Sequence, residues 1–283
     1  MEYLTGYTVK PYEISAIGEV LFTDGTNTDL GANQVTCEAY GYTYDQASGT
    51  CRSFRFNTNL NRNLANINNK NNGAGNTTEL GSNTIQINGT QNTTKGLNNN
   101  CFINGRNNEI ANGVNNASVT GALGEATATN SIVLGGNAAA DALGERQTIT
   151  VMYGTTTDDN STVDSYLNNT VGSYFEIPDN TIIAFHTETV GVRVGGSGAG
   201  NLGDFKAIVE IGAAINKNGT LSIDKTRTVI ANVGTTSGWI SDITVSALTG
   251  PYLLQQVKGA NNRDIMWATT IRMTQIKTGV VLT

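Results

Sequence analysis

The sequence predicts an all-β protein in which a coiled β shaft is followed by an antiparallel β-sandwich. Short apolar runs closed by Gly recur across residues 81–137, and longer β-branched runs separated by Gly or Asn begin at Arg146. Pro occurs only 3 times, and long runs of the strong helix formers Leu, Glu, Lys and Ala are absent. Little helix is therefore expected.

The shaft is predicted from self-similarity over residues 81–137. Its apolar runs close on a series of glycines at intervals of 16, 8, 8 and 14 residues: Gly89, Gly105, Gly113, Gly121 and Gly135. Self-similarity at a near-fixed period is typical of a solenoid. These intervals predict one or two half-turns of a β-coil between successive glycines.

Each rung of this shaft has few apolar side chains. One to three large apolar residues per rung bury too little surface to offset the entropy of ordering the chain. Self-association is a common remedy for a segment with little core of its own. We therefore expect a homotrimer whose core along a threefold axis contains Ile87, Ile103, Ile110, Val119 and Val133.

The repeated pattern resembles a known class of shaft. Residues 83–89 read Asn-Thr-Ile-Gln-Ile-Asn-Gly and residues 130–135 read Asn-Ser-Ile-Val-Leu-Gly. This pattern, over about a fifth of the chain, resembles the trimeric β-roll and β-helix modules of bacteriophage fibres and spikes and of bacterial adhesin heads. The alternative is a disordered low-complexity linker, which does not need a hydrophobic residue before each Gly.

The residues before the shaft divide into two segments. Residues 1–56 hold six of the ten tyrosines and are interpreted as a virion-attachment segment; a free-standing small domain that binds something else is the alternative. Residues 57–80 form an Asn-rich neck. Within it Leu60, Leu64 and Ile67 fit a short trimeric coiled-coil seam, and an extended chain is the other interpretation.

Cys37 and Cys51 bracket a loop with turn-forming residues that is able to bring them together. A disulfide there would add about 3 kcal/mol of stability. Assembly in a cytosol favours two buried thiols instead. Zinc is not expected, because there is no Cys-x-x-Cys and the single histidine, His186, is distant; no metal or other cofactor is predicted.

The C-terminal part is predicted to follow a small-residue junction over residues 138–145. Residues 146–283 read as an antiparallel, jelly-roll-like β-sandwich knob. Alternation places Phe205, Ala207, Val209 and Ile211 on one inward face, and Ile265, Trp267, Ile271 and Met273 on another. Runs such as Glu-Arg-Gln-Thr-Ile-Thr-Val resemble the C-terminal β-domain of many phage fibre proteins.

Charge and hydropathy limit the partners. The net charge of -6 argues against nucleic acid, because phosphate binding needs clustered Lys and Arg. Neither a secretory signal nor an apolar run of ~20 residues is present. No membrane insertion is therefore expected, and the phage interpretation is favoured over an adhesin, as a virion protein assembled in the host cytoplasm.

The predicted receptor-binding surface lies on loops of the knob, because loops on a rigid scaffold vary without cost to the core. Candidate tips are residues 155–163, 195–203 and 235–239. Candidate contact residues for a host glycan or protein are Trp239, Ser197, Asn201, Asp158 and Asp159. Trp239 is interpreted either as an aromatic platform or as a core residue.

Catalysis is not expected from the sequence. The carboxylates Asp158, Asp159, Asp164, Glu176 and Asp179 are close along the chain, but they are interpreted as a solvated loop. The leading hypothesis is a structural virion protein, a homotrimeric tail fibre or spike that holds other virion proteins through its N-terminal segment and mediates host attachment. A capsid-decorating head fibre is the alternative, and a polysaccharide depolymerase comes third.

Overall fold

The computed structural model describes residues 2–15, 18–46, 48–53, 69–79, 81–136, 142–247 and 250–282. The chain divides into two compact units, Met1–Ile67 and Asn68–Thr283. The coiled-coil seam proposed for Leu60, Leu64 and Ile67 lies outside the described residues. Within the described ranges, no helix combines the length and the apolar character needed to cross a membrane.

The first unit is a small domain with its own core. Its elements are β1 (Lys10–Ile14), β2 (Val20–Thr23), α1 (Gln34–Ala39), β3 (Thr43–Asp45) and β4 (Thr50–Arg52). Asn33 caps α1 by accepting a hydrogen bond from the Thr36 backbone N–H. Phe22 is buried against Tyr40, whose hydroxyl donates to the Val9 carbonyl at 2.7 Å. The tyrosines of this segment thus help to form a core.

Cys37 on α1 and Cys51 on β4 are joined by a disulfide, with their Cα atoms 5.6 Å apart. The prediction of two free thiols is wrong. Both side chains point into the same small cluster around Val20 and Phe22. A core of this size supplies little stability by itself. The disulfide between α1 and β4 adds stability that apolar burial alone does not provide.

The second unit begins with a β-solenoid of about four turns. One side of each turn is a longer strand and the other side is a strand of two residues. In chain order the strands are β5 (Lys70–Asn72), β6 (Thr77–Thr78), β7 (Asn83–Thr90), β8 (Thr93–Thr94), β9 (Asn99–Arg106), β10 (Glu109–Ile110), β11 (Ser118–Ala122), β12 (Glu125–Ala126) and β13 (Ile132–Gly135). Strands on each side pair in parallel.

The solenoid starts earlier than the sequence indicated. Lys70 pairs with Gln86, and Thr77 with Thr93, so β5 and β6 complete a turn within the residues assigned to the neck. Successive equivalent residues are 16 apart, as in Ile87, Ile103 and Val119, and the last step to Val133 is 14 residues. The full period is therefore one 16-residue coil. Gly113 is outside this register and lies in a turn between β10 and β11.

The interior of the solenoid is filled by the chain itself. Ile87, Ile103, Ile110, Val119 and Val133 are all buried in one continuous core. Their assignment to a core shared around a threefold axis is wrong, because stacked coils of one chain already cover them. Cys101, which has a free thiol, is buried in the same interior.

Asparagines form a ladder along one corner of the solenoid. The side-chain amide of Asn108 donates to Asn92 Oδ1 at 3.1 Å and to the Gly121 carbonyl at 2.9 Å. Asn92 makes the equivalent bonds to Asn76 and to the carbonyl of Gly105. Each amide thus satisfies backbone groups of neighbouring coils, which explains the asparagine at these positions of the solenoid.

The C-terminal strands continue the sheet that the solenoid begins. They are β14 (Arg146–Thr157), β15 (Thr162–Leu167), β16 (Phe175–Glu176), β17 (Thr181–Gly195), β18 (Phe205–Lys217), β19 (Thr220–Val233), β20 (Ile240–Ser246), β21 (Tyr252–Lys258) and β22 (Asp264–Lys277). Strand β14 pairs antiparallel with β13 of the last coil. The main sheet therefore runs β19-β18-β17-β22-β14-β13-β11-β9-β7-β5, and the shaft and C-terminal part form one unit rather than two.

A second, smaller sheet is built from β15, β16, β20 and β21. Its buried Ile243 and Leu253 belong to the same core cluster as Ile149, Ile183 and Met273 of the main sheet. The main sheet thus has an inner face, which packs on the second sheet, and an outer face. The predicted inward positions of β22, Ile265, Trp267, Ile271 and Met273, are buried as expected.

Strand β18 has the opposite face inside from the one predicted. Ile208 and Glu210 are buried, whereas Ile211 is 56% exposed. Glu210 is accommodated because it accepts hydrogen bonds from the Ser241 hydroxyl at 3.2 Å and the Ile243 backbone N–H at 3.1 Å, with Lys225 Nζ 3.6 Å away. Burial raises the pKa of this carboxyl, partly opposed by those contacts.

The glycine at the end of each long strand allows the coils to approach. A Cβ on Gly105 (φ 137°) would overlap the carbonyl oxygen of Gly121 in the next coil. We expect Gly105→Ala to lower the free energy of unfolding of the second unit by at least ~3 kcal/mol, from overlap and backbone strain together. Thermal unfolding followed by circular dichroism measures the loss.

The matched control is Gly113→Ala. Gly113 also has a positive φ (73°), but no atom lies within 4 Å of the position that a Cβ would occupy there. Only backbone strain remains, so the loss should be ~1 to 2 kcal/mol. Equal losses for the two variants would contradict the contact between glycines as the reason for this column.

Candidate functional site

The loop tips predicted from the sequence lie together at the end of the main sheet far from the solenoid. Arg263 Nη1 donates to the Thr235 carbonyl at 2.6 Å, and the Arg263 backbone N–H donates to the Asp158 carbonyl at 3.3 Å. The Thr235 N–H donates to Asp204 Oδ2 at 3.0 Å. With the bond from the Asn201 N–H to the same Asp204 oxygen, these contacts connect all three candidate tips. Their contact with a receptor stays a prediction.

The glycine-rich tip that holds Ser197 and Asn201 is wrapped around a buried arginine. The Arg193 guanidinium donates to the carbonyls of Gly195, Gly196, Gly198 and Ala199 at 2.8 to 3.0 Å. Ser197 is exposed at this tip, and the Asn201 N–H donates to Asp204 at 2.9 Å. Hydrogen bonds from the Thr235 and Asn201 backbones lower the pKa of Asp204.

Trp239 is a core residue. It is 1% exposed and packs edge-on against Trp267 with ring centroids 5.8 Å apart. The proposed aromatic platform at this position is therefore wrong, because no ligand reaches the ring. Asp158 and Asp159 are exposed in the turn after β14, where Asp159 accepts hydrogen bonds from Ser161.

Three tyrosines lie side by side on the second sheet and form what we call the tyrosine row: Tyr166, Tyr174 and Tyr252. The ring centroids of Tyr166 and Tyr174 are 5.6 Å apart, and those of Tyr174 and Tyr252 are 5.5 Å apart. All three are half-buried, while neighbouring Leu167, Phe175 and Leu253 point into the core. Strand alternation thus places Tyr166 and Tyr252 on the outer side of the sheet, and Tyr174, which directly precedes β16, packs between them.

Tyr174 and Tyr252 of the tyrosine row line an open cleft of about 480 Å³ between the last coil and the second sheet. Its polar lining residues come from several elements. Glu125 lies on β12 and Glu176 on β16, and Lys277 ends β22. Lys277 Nζ is 3.6 Å from Glu125 Oε2. Thr127 and Ser173 add hydroxyl groups to the lining.

The hydroxyl of Tyr174 is fixed from outside the cleft. It donates to Asp164 Oδ2 at 2.8 Å, and Asp164 Oδ1 accepts from Gln256 at 2.9 Å. The pKa of Tyr174 lies above its usual range, because burial disfavours the phenolate and because Asp164 accepts the hydroxyl proton. The ring therefore stays neutral and held in one orientation at physiological pH.

The cleft has the chemistry of a sugar site. Tyrosine rings offer flat apolar surfaces, and carboxylates and hydroxyls offer acceptors and donors at the edges. Sequence reasoning included Asp164 and Glu176 among the carboxylates but assigned them to a solvated loop. Glu125 was missed, because it lies about 50 residues away in the solenoid and shares a cleft with Glu176 only in the folded chain.

A second surface feature is the outer face of the main sheet. Large apolar side chains are exposed along it on β13, β14, β17 and β22, including Ile132, Leu134, Met152, Val190, Met266 and Ile276. Strand pairing places them on one side, since Ile132 is opposite Thr150 and Thr150 is opposite Arg272. His186 is on this face with Ile182 and Ala184.

Comparison with protein-family models and with curated protein sequences found no match. Solved structures similar to the chain include the tailspike gp49 of Acinetobacter baumannii bacteriophage Fri1, a capsular polysaccharide depolymerase, with a TM-score of 0.30 and 9% identity over 74% of this chain and 37% of that one. The tailspike of A. baumannii phage AM24 matches with a TM-score of 0.26 and 8% identity, over 74% of this chain and 51% of that one. The tailspike of Acinetobacter phage vB_ApiP_P1 matches with a TM-score of 0.21 and 8% identity, over 73% of this chain and 49% of that one.

The expected coiled β shaft is confirmed as a β-solenoid. The solved structures named above are bacteriophage tailspikes, the class of protein that the repeat pattern resembles. The chain spans between 37% and 51% of the length of these tailspikes. The expectation of a protein without enzymatic activity is wrong as stated, because a capsular polysaccharide depolymerase is among the tailspikes that match.

Proposed function

We propose that the chain is part of a homotrimeric bacteriophage tail spike that attaches the virion to polysaccharide on the host cell surface. The observation that supports this most directly is the cleft beside the tyrosine row, at the point where the solenoid joins the C-terminal strands. The disulfide-linked first unit is proposed to hold other virion proteins. Threefold display of a weak sugar site then gives avidity.

The outer face of the main sheet supports self-association. Exposed large apolar side chains gathered on one face of a sheet mark interaction surfaces in soluble proteins. Leu134 is 57% exposed and Met152 is 54% exposed on adjacent strands, with Thr148 and Thr150 beside them. A further copy of the same chain would cover this face, and closed symmetry would bury all copies equally.

Mass measured by light scattering tests the assembly. We expect about three times 29.8 kDa for the intact protein. Leu134→Asp should shift the mass towards the single chain, because it places one carboxylate per chain in an apolar contact. Leu202→Asp is the control, since Leu202 is 70% exposed on the far loop. A monomeric wild type, or equal behaviour of both variants, would contradict the assignment of this face.

Attachment is expected to depend on the cleft. Stacking of a sugar ring on Tyr252 contributes binding only while the aromatic face is present. Tyr252→Ala should reduce adsorption of the purified protein to host cells at least ~10-fold, an effect that avidity multiplies across copies. Adsorption is measured by depletion of labelled protein from solution.

The control for adsorption is Tyr3→Ala, which removes a 42% exposed tyrosine from the first unit. It should leave adsorption unchanged. Melting temperatures of both variants report whether the fold survives. Full adsorption by a folded Tyr252→Ala protein would refute the cleft as the attachment site and favour the far loop tips.

A second candidate function is cleavage of the bound polysaccharide. Glu125 and Glu176 line the same cleft, and a pair of carboxylates flanking a glycosidic bond is the usual requirement for its hydrolysis. A sugar unit stacked on Tyr174 or Tyr252 would lie in the same cleft as both carboxylates. One carboxyl group would donate a proton to the leaving oxygen while the other acts as base or nucleophile.

Release of reducing ends from host capsule measures this activity. If the chain is a hydrolase, Glu176→Gln should lower the rate ~100-fold or more, because general acid–base catalysis contributes that much. Asp158→Asn removes an exposed carboxylate at the far end of the sheet and should leave the rate unchanged. Equal rates for wild type and Glu176→Gln would contradict catalysis at this cleft.

A further inference from the structure

We propose that the cleft selects its glycan by charge, taking neutral or amino-bearing sugar units and rejecting acidic ones. This inference rests on the proposed attachment to surface polysaccharide and adds the class of sugar. It is carried by the arrangement of charged groups around the tyrosine row, which follows from the strands that bring them together.

The cationic side chain in the cleft lining is already engaged. Lys277 Nζ is 3.6 Å from Glu125 Oε2, and both side chains are partly exposed. Its charge is therefore offset by a carboxylate at the same edge of the cleft. A carboxylate on a sugar would have to compete with Glu125 for this ammonium group, and it gains little from doing so.

The other carboxylates leave the cleft with an excess of negative charge. Glu176 is exposed in the lining and forms no ion pair within the described ranges of the chain. Asp179 lines a depression that Glu176 also borders, and Asp164 lies directly behind Tyr174. A uronic or similar acidic unit placed on the tyrosine row would meet these like charges, whereas an amino group would pair with Glu176.

The remaining lining suits a hydroxylated ring without net charge. Thr127 and Ser173 supply hydroxyl groups that both donate and accept, and Glu176 accepts hydrogen bonds from sugar hydroxyls. Tyr174 is held neutral by Asp164, so the row itself adds no negative charge. Ring stacking and hydroxyl recognition together bind the sugar, and the surrounding carboxylates set the charge preference.

The test uses the full chain and three hexasaccharides that differ in charge: glucosamine, N-acetylglucosamine and galacturonic acid hexamers. Binding is measured by titration calorimetry at low ionic strength, where surface charges are least screened. We expect affinity to fall about fivefold from the amino hexamer to the neutral one, and about fivefold again to the acidic one, the effect of one exposed charge pair.

Glu176→Gln should bring the three affinities closer together: the ratio of amino to neutral affinity and the ratio of neutral to acidic affinity should each fall from about fivefold to less than about twofold, whatever the variant costs in hydroxyl recognition. Asp158→Asn, at the far end of the sheet, should change none of the three. Three results would each overturn the proposal. The acidic hexamer could bind as tightly as the neutral one, no hexamer could bind at all, or the Glu176→Gln protein could keep the affinity order of the wild type.

These outcomes separate the two proposals. If wild-type protein adsorbs to host cells through Tyr252 but shows no charge preference, the sugar class is wrong and the attachment function stands. If the hexamers bind in the expected order and adsorption is unaffected by Tyr252→Ala, the cleft is a sugar site and attachment occurs elsewhere.

Discussion

The close approach of glycines in successive coils is the constraint on which the rest of the molecule depends. With Gly105 facing the carbonyl of Gly121, the backbones stack in a 16-residue register, and the Asn92 and Asn108 amides then reach across the coils. This register keeps Ile103 and Val119 in one interior column. A residue with a side chain in the glycine column would separate the coils and break the ladder and the column together.

The same register positions the candidate site. Glu125 is on the short side of the last coil, and the pairing of β13 with β14 fixes that coil against the C-terminal strands. Glu176, Tyr252 and Lys277 come from strands linked to the same sheet, so the charged groups of the cleft are held by paired strands, while residues 172–174 come from the segment before β16. Sites built on strands hold their side chains in more definite positions than sites on loops.

Much of the fold is predictable from local pattern, because alternation and glycine-closed runs are properties of neighbouring residues. The solenoid and the buried face of β22 follow directly from such patterns. The face of β18 does not, since Glu210 is buried only because Ser241, Ile243 and Lys225 from other strands contact it. The cleft likewise brings Glu125 of the solenoid and Glu176 of the C-terminal strands into one lining, and Trp239 is buried against Trp267. No spacing in the sequence reveals either arrangement.

The antiparallel junction between β13 and β14 also bears on how the molecule folds. A parallel coil has no local hairpin from which to begin. Forming its first turn costs loop-closure entropy before stabilising contacts are made. The antiparallel pairs that β22 makes with β14 and β17 supply a ready edge at the C-terminal end of the solenoid. The solenoid is then expected to fold from its last coil towards Lys70. Its folding would therefore begin only when synthesis of the chain is nearly complete.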